Sequence, residues 1–472
     1  MGDTEFAAPI TQVSSGRCLE RRRIQCECAD NMRFLSLFDC FIRKSFRRLP
    51  TTTEWVRFRK YARRMRELGH SVTPDCPSPE LFSVVQLFAI KEPLFPNLKT
   101  LHFLGILVHS IPFIPLFLSQ RTTSITLRFE SNLSEATVAS MITILPTLCP
   151  ELQAIALRDL PRDPMVTAAV FGMLLVTNRN TLQELDIDSP LTTEANEVLH
   201  KLPNLLNLSV AIEKETPLPS ASLPNLIGLT IRCDDEDNWP RLFHGATFGK
   251  LKSVSFYPRS KQIGNFLGAF ERAALSSSIH NTLSTFYLST PCSWNPNYSS
   301  LLPFTQMVDL EIEFSCDGGC SSRVDDDIII SLSRAMPKLK YLGLGNAPCR
   351  QSTAGVTTKG LLALAHHCPN LGALRVHLRV ASLSEPLAIP GTVPGVGPVA
   401  SWMDCALTEL EVGATPVPKG LAMIIALTLL RIFPQLDSIQ FISGGWKEVN
   451  NAISLSKEII DCSSKQRPFT MP

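Results

Sequence analysis

Aromatic residues are scarce in this chain, at 7% of 472 residues, while 35 prolines are scattered through it. That combination argues against one compact globule and for many short elements, repeatedly interrupted. Cysteine is also sparse, because 14 residues over this length cannot form a disulfide scaffold. Long apolar runs are missing. The longest, near Phe103–Leu118, contains His109, Pro112 and Pro115 and is too short and broken to span a bilayer. Asp3 and Glu5 interrupt the start, so no secretory leader is expected, and the expected setting is a reducing cytoplasm or nucleus with no membrane contact. No phosphate loop, nucleophile elbow or zinc-protease signature occurs. The expectation is therefore a protein without catalytic residues and without cofactor or metal.

What is present is a large apolar fraction, 44%, enough to bury an extended core. The net charge of +2 conceals an asymmetry. Residues 1–70 carry fifteen Lys and Arg against eight Asp and Glu, in Arg21-Arg22-Arg23, Arg43-Lys44, Arg47-Arg48 and the run from Arg57 to Arg66. Such a stretch can meet an acidic partner or form the solvated face of helices. The second reading is preferred, and no nucleic-acid partner is expected.

Laid over itself, the chain repeats. The phrase Pro-x-Leu-x-x-apolar-x-apolar opens at Pro96, Pro150, Pro203, Pro224, Pro337, Pro369 and Pro434. Five further copies keep the register without proline: TLQELDI, KLKSVSF, TLSTFYL, QMVDLEI and ALTELEV. All thirty-six diagnostic positions in these twelve copies are Leu, Ile, Val, Phe or Met. A weaker thirteenth copy is SITLRF, Ser124–Phe129. Apolar residues two apart share one face of a strand, and the leucine three positions earlier caps the same layer. Proline before it ends the preceding helix and gives up a donor that would go unused.

Anchors at Leu182, Leu205, Leu226, Leu251 and Leu283 lie 23, 21, 25 and 32 residues apart, the length of a short strand and its return. Such units must stack to bury their apolar face, each inner side chain contributing about 1.5–3 kcal/mol. The pattern predicts an α/β solenoid over 91–450, with a parallel sheet inside and helices outside. A basic helical segment, 1–90, precedes it and a tail, 451–472, follows. Helices are expected over 134–148, 325–336 and 358–367, and a Pro/Gly-rich loop over 384–401.

The stretch Leu339–Val376, LKYLGLGNAPCRQSTAGVTTKGLLALAHHCPNLGALRV, resembles the cysteine-containing subclass of leucine-rich repeats. Asn346, Cys349 and Cys368 match that subclass's Asn and Cys positions. It occurs typically in F-box proteins, which hold substrates for ubiquitination. Residues 55–450 as a whole also resemble fungal F-box proteins with degenerate repeats, through EWVRFRKYARRMREL (Glu54–Leu68) and the phrases PRDP, DSPLT, SWNPNYS and GGWKEV. The resemblance implies a leucine-rich-repeat solenoid that binds a protein substrate, with an SCF adaptor and cullin scaffold as partners if an F-box is present. The opening F-box phrase, Leu-Pro-x-Glu-(Ile/Leu)-Leu, does not occur upstream of Glu54; FLSLFDCFIRKSF (Phe34–Phe46) is apolar but lacks it. A repeat scaffold with no ligase link is the alternative.

Two clusters fit packing better than chemistry. Cys316, Cys320, Cys292 and Cys349 lack a second close pair at zinc-ligand spacing, as do Cys26 and Cys28. His366 and His367, neighbours on a helix, should point about 100° apart and form its wet C-terminal end. The residues that alternate with the buried ones form the expected binding face. They are Arg158; Glu184, Asp186 and Asp188; Arg232; Asp309, Glu311 and Glu313; Arg375 and His377; Glu409 and Glu411. The paired carboxylates are expected to govern binding of a basic target rather than folding.

Overall fold

The structure is a computed structural model. It describes residues 51–70, 93–106, 108–161, 163–190, 201–212, 223–233, 248–258, 265–291, 296–315, 324–345, 355–383, 405–412, 416–441 and 444–465, with a few isolated positions besides. The expected F-box region before Thr51, the 384–401 loop, Asn346, Cys349 and the other cysteines weighed for zinc lie outside the described residues.

Among the described residues one open, fourteen-stranded sheet runs through the molecule, each strand pairing with its neighbours in chain order. The strands are β1 Glu67–His70, β2 Thr100–Ile106, β3 Ser124–Phe129, β4 Ala154–Arg158, β5 Glu184–Pro190, β6 Asn207–Ile212 and β7 Gly228–Cys233. They continue as β8 Ser253–Pro258, β9 Thr285–Pro291, β10 Asp309–Ser315, β11 Tyr341–Leu344, β12 Ala373–Val376, β13 Glu409–Glu411 and β14 Ser438–Gln440. Every pairing is parallel. Each of the twelve copies of the repeated phrase supplies one strand, and the weaker thirteenth copy is β3. The fourteenth, β1, has no such phrase, and no leucine signature announced it.

Register follows from the apolar pattern, since a one-residue slip would turn every inner side chain outward. Leu310, Leu342, Leu374, Leu410 and Ile439 are direct partners on successive strands. Of the thirty-six diagnostic side chains, thirty-five are buried. The remaining one, Phe441, is half-buried against the core beyond the last strand. From β2 onward each strand is entered in the same way. Two consecutive amides, such as those of Lys340 and Tyr341, donate to one carbonyl of the preceding unit, here that of Val308, at 2.8 and 3.2 Å.

The helices lie where caps predict them. Ser134 accepts from the Thr137 amide and opens Glu135–Leu148; Asp325 accepts from the Ile328 amide and opens Asp326–Ala335; Thr357 accepts from the Lys359 amide and opens Thr358–His367. Around β8 and β9 phenylalanines fill the core. The Phe270 ring stands 5.5 Å from Phe256, 4.9 Å from Phe286 and 5.2 Å from Phe304.

Both ends depart from expectation. The Glu54–Leu68 phrase does not form one helix. The helix Thr52–Ala62 stops where the Asn97 amide donates to the Arg63 carbonyl, and Glu67 and Leu68 enter β1 because the Lys99 and Thr100 amides of the next unit take up the Arg66 carbonyl. Trp55 and Phe58 of that helix join the common core, so the solenoid begins well before residue 91. Likewise the chain does not leave the fold at 450. A helix, Gly445–Lys465, buries Trp446, Val449 and Ile453 and closes the far end of the stack. Among the described residues no helix is long and apolar enough to cross a membrane.

Candidate functional site

Strand alternation places one residue in two on the open face of the sheet. Pairing register aligns these into ranks that run across the strands. The first rank reads Glu184, Asn207, Gly228, Ser253, Thr285, Asp309, Tyr341, Ala373 and Glu409. The second, two residues on, reads Asp186, Ser209, Thr230, Ser255, Tyr287, Glu311, Gly343, Arg375 and Glu411. Residues from β5 to β12 line a single groove of about 630 Å³ on this face. Side chains seven strand intervals apart meet one cavity, which makes this face the hollow side of a curved sheet.

At the β5 edge, Asp186 is held by two arginines. Arg158 donates to one carboxylate oxygen, and Arg232 donates to the other through Nη1 and Nη2, both at 3.2 Å. Asp188 turns back and accepts from the Asp159 and Leu160 amides, tying the end of β4. Burial raises the Asp188 pKa, which the two amide bonds offset in part. Burial also lowers the Arg158 pKa, against the pull of Asp186.

At the β10–β13 edge a second network forms around Arg375. Its Nε donates to Glu411 at 2.6 Å and its Nη1 to Glu311 at 2.9 Å. Glu311 sits two strands from Arg375, with Gly343 directly between them in register. A Cβ at Gly343 would approach the Tyr341 hydroxyl to 2.9 Å and the Glu311 Cγ to 3.2 Å, so glycine leaves the lane through which the guanidinium reaches. The Tyr341 hydroxyl donates to Glu311 at 3.1 Å, and that of Tyr287 donates to Glu313 at 2.6 Å. Burial raises the Glu311 pKa against the counter-pull of Arg375, and it raises Asp309 as well.

The face is therefore not a row of free carboxylates. Six of the expected residues, Arg158, Asp186, Arg232, Glu311, Arg375 and Glu411, are joined in ion pairs with one another. These pairs are largely shielded, with Arg232 16% and Glu311 15% exposed, so they shape the sheet as much as they offer charge. Glu311, expected from sequence to serve binding rather than folding, is tied into the sheet, because strand register puts it within reach of a distant arginine. Glu184 accepts from the Asn207 side-chain amide at 3.0 Å, and Asp309 from the Thr285 hydroxyl at 3.4 Å. Arg158, Asp188, Arg232, Glu313, His377, Glu409 and Glu411 do not line the groove. The His377 carbonyl accepts from the Val356 amide in a bridge beside β12.

Sequence reading missed the groove's floor, where Asn207, Ser209, Gly228, Thr230, Ser253 and Ser255 keep it low, and its tyrosines, Tyr287 and Tyr341. All occupy the variable positions between inner leucines, so a signal was present, but their smallness matters only once the charged neighbours are known. His366 and His367 also correct an expectation. Their rings meet edge to face at 4.6 Å, and both side chains are half-buried rather than wet. Rotamers close the gap that the helical angle opens. Cys368 donates weakly to the Ser333 and Met336 carbonyls, and burial pushes its thiol up to about 12, so it packs rather than reacts.

No family model matches the chain, and no curated protein matches it. Among solved structures it is similar to one described as "Crystal structure of Rad7 and Elc1 complex in yeast". The two share 15% identity over 74% of this chain and 83% of that one, with a TM-score of 0.32.

Proposed function

We propose that this protein is a non-catalytic protein-binding subunit, serving as the substrate receptor of an SCF-type ubiquitin ligase. The observation that carries the binding role is the groove on the hollow face, which draws on eight strands yet is pre-shaped by ion pairs within the sheet. A surface held this way loses little entropy on meeting a partner. The ligase role is supported by the resemblance of Leu339–Val376 to the cysteine-containing repeats of F-box proteins, whose GVT-x-x-GL-x-x-LA phrase here forms the buried helix Thr358–His367. The adaptor and cullin would dock on the N-terminal side, leaving the groove for the substrate.

The test is co-elution of the full chain with a purified SCF adaptor–cullin pair on size exclusion. The expected result is a shared peak that disappears when residues 1–50 are removed. Separate elution of a folded chain would sink the ligase role and favour a repeat scaffold without a ligase, the reading suggested by the missing F-box phrase.

A further inference from the structure

The geometry points to the groove as a site for an extended peptide carrying two basic side chains about seven residues apart, one seated at Glu184 and the other at Asp309. The inference rests on the protein-binding reading above and specifies the class of partner. Its first support is charge. The open-face residues from Arg158 to Glu411 named above include eight carboxylates and three arginines, and the three arginines are already engaged with Asp186, Glu311 and Glu411. The surplus is negative and local, although the chain as a whole carries +2. Such a surplus repels an acidic segment and draws a basic one.

Its second support is the distribution of that surplus. Among the described residues Glu184 accepts only from an amide and Asp309 only from a hydroxyl, with Lys340 acting on Asp309 through space. Both stand in the first rank and line the same cavity. They are five strand intervals apart, roughly 24 Å along the sheet, which about seven extended residues span.

Between them the floor is low. Gly228 and Ser253 follow in the same rank, and Ser209 and Ser255 lie in the next. A peptide main chain can lie across such residues without displacing large side chains. The Ser209 hydroxyl, buried on that floor, has no hydrogen-bond partner within the described residues. Beyond the floor the Tyr257 and Tyr287 rings lie tilted against each other at 5.2 Å, and Tyr287 lines the groove.

Blocked, dye-labelled Gly/Ser peptides test this on the full chain by fluorescence anisotropy. One carries two arginines seven residues apart, one carries them two apart, and one carries two glutamates seven apart. The widely spaced arginine peptide should bind at least fivefold more tightly than the closely spaced one, and the glutamate peptide should not bind. Glu184→Gln and Asp309→Asn should each weaken the first peptide at least threefold and remove the preference for spacing. Glu448→Gln, on the C-terminal helix, should leave binding unchanged. Ser255→Arg, which fills the floor and adds positive charge, should abolish it without changing the circular dichroism melt. Raising salt from about 50 to 500 mM should weaken binding several-fold. Equal affinity for both arginine spacings, indifference to both carboxylate variants, or no binding at all would overturn the inference. Adaptor co-elution is read separately, so a lost ligase role leaves the peptide result standing, and the reverse also holds.

Discussion

Asparagine in the recurring Pro-Asn-Leu phrase has a purpose that composition does not reveal. The side chains of Asn97, Asn204 and Asn225 donate to the carbonyls of Arg63, Asn180 and Pro203, each in the unit before. Where the phrase begins with threonine, the hydroxyl takes over. Thr181 donates to the Leu152 carbonyl and Thr282 to that of Leu251, both at 2.7 Å. Each bond satisfies a turn carbonyl that strand pairing leaves open, so Asn225→Ala or Thr282→Val should cost about 1 kcal/mol in chemical denaturation. His367 makes a prediction about pH. Burial first, then His366 and Arg334, lowers its pKa from 6.5. The unfolded chain then binds the proton more readily than the folded one, so stability is fully present above about 6.5 and declines as pH falls through the lowered folded value. The melting temperature should drop as pH falls below about 6.5, and His367→Gln should flatten that part of the profile. An unchanged slope in the variant would assign the acid sensitivity to other groups.

At the scale of elements, helices communicate through their first turns. Asp326, the first residue of Asp326–Ala335, accepts from the Thr357 amide at 2.8 Å, from the Thr357 hydroxyl at 2.5 Å and from the Gly360 amide at 3.1 Å. It thereby caps the following helix as well as lying near the dipole-positive end of its own. A Cβ at Gly360 would come within 2.6 Å of the Asp326 Oδ1, so glycine is what lets the carboxylate in. Asp326→Ala strips partners from two amides and a hydroxyl and should cost about 1–3 kcal/mol, whereas Asp327→Ala, one residue on and exposed, should cost little. Equal losses in thermal melts would mean that only local helix propensity is at stake. The run of three aspartates was legible as a helix start. Which of them reaches the next unit depends on the stacking offset between two helices, and no local pattern encodes that.

The whole molecule behaves as a stack in which each strand has neighbours on both sides except at β1 and β14. Stability in such an array passes between adjacent units, so opening should begin at the ends. Amide exchange should therefore be fastest in β1, β13 and β14 and slowest in β7 to β10, where the phenylalanine cluster packs; uniform protection along the sheet would contradict a stepwise stack. The sequence by itself determined the repeat, the strand positions from β2 to β14, the inward face of each and the parallel order. These are consequences of local periodicity, in which every unit solves the same burial problem by the same three apolar residues. Tertiary structure alone decided which residues of the open face meet. Arg375 finds Glu311 across Gly343 in one rank, and Arg232 reaches Asp186, 46 residues away, from the next rank, because register sets separate units side by side. Charge partners are chosen by distance across the sheet, a quantity fixed by curvature and strand spacing rather than by any run of neighbouring residues.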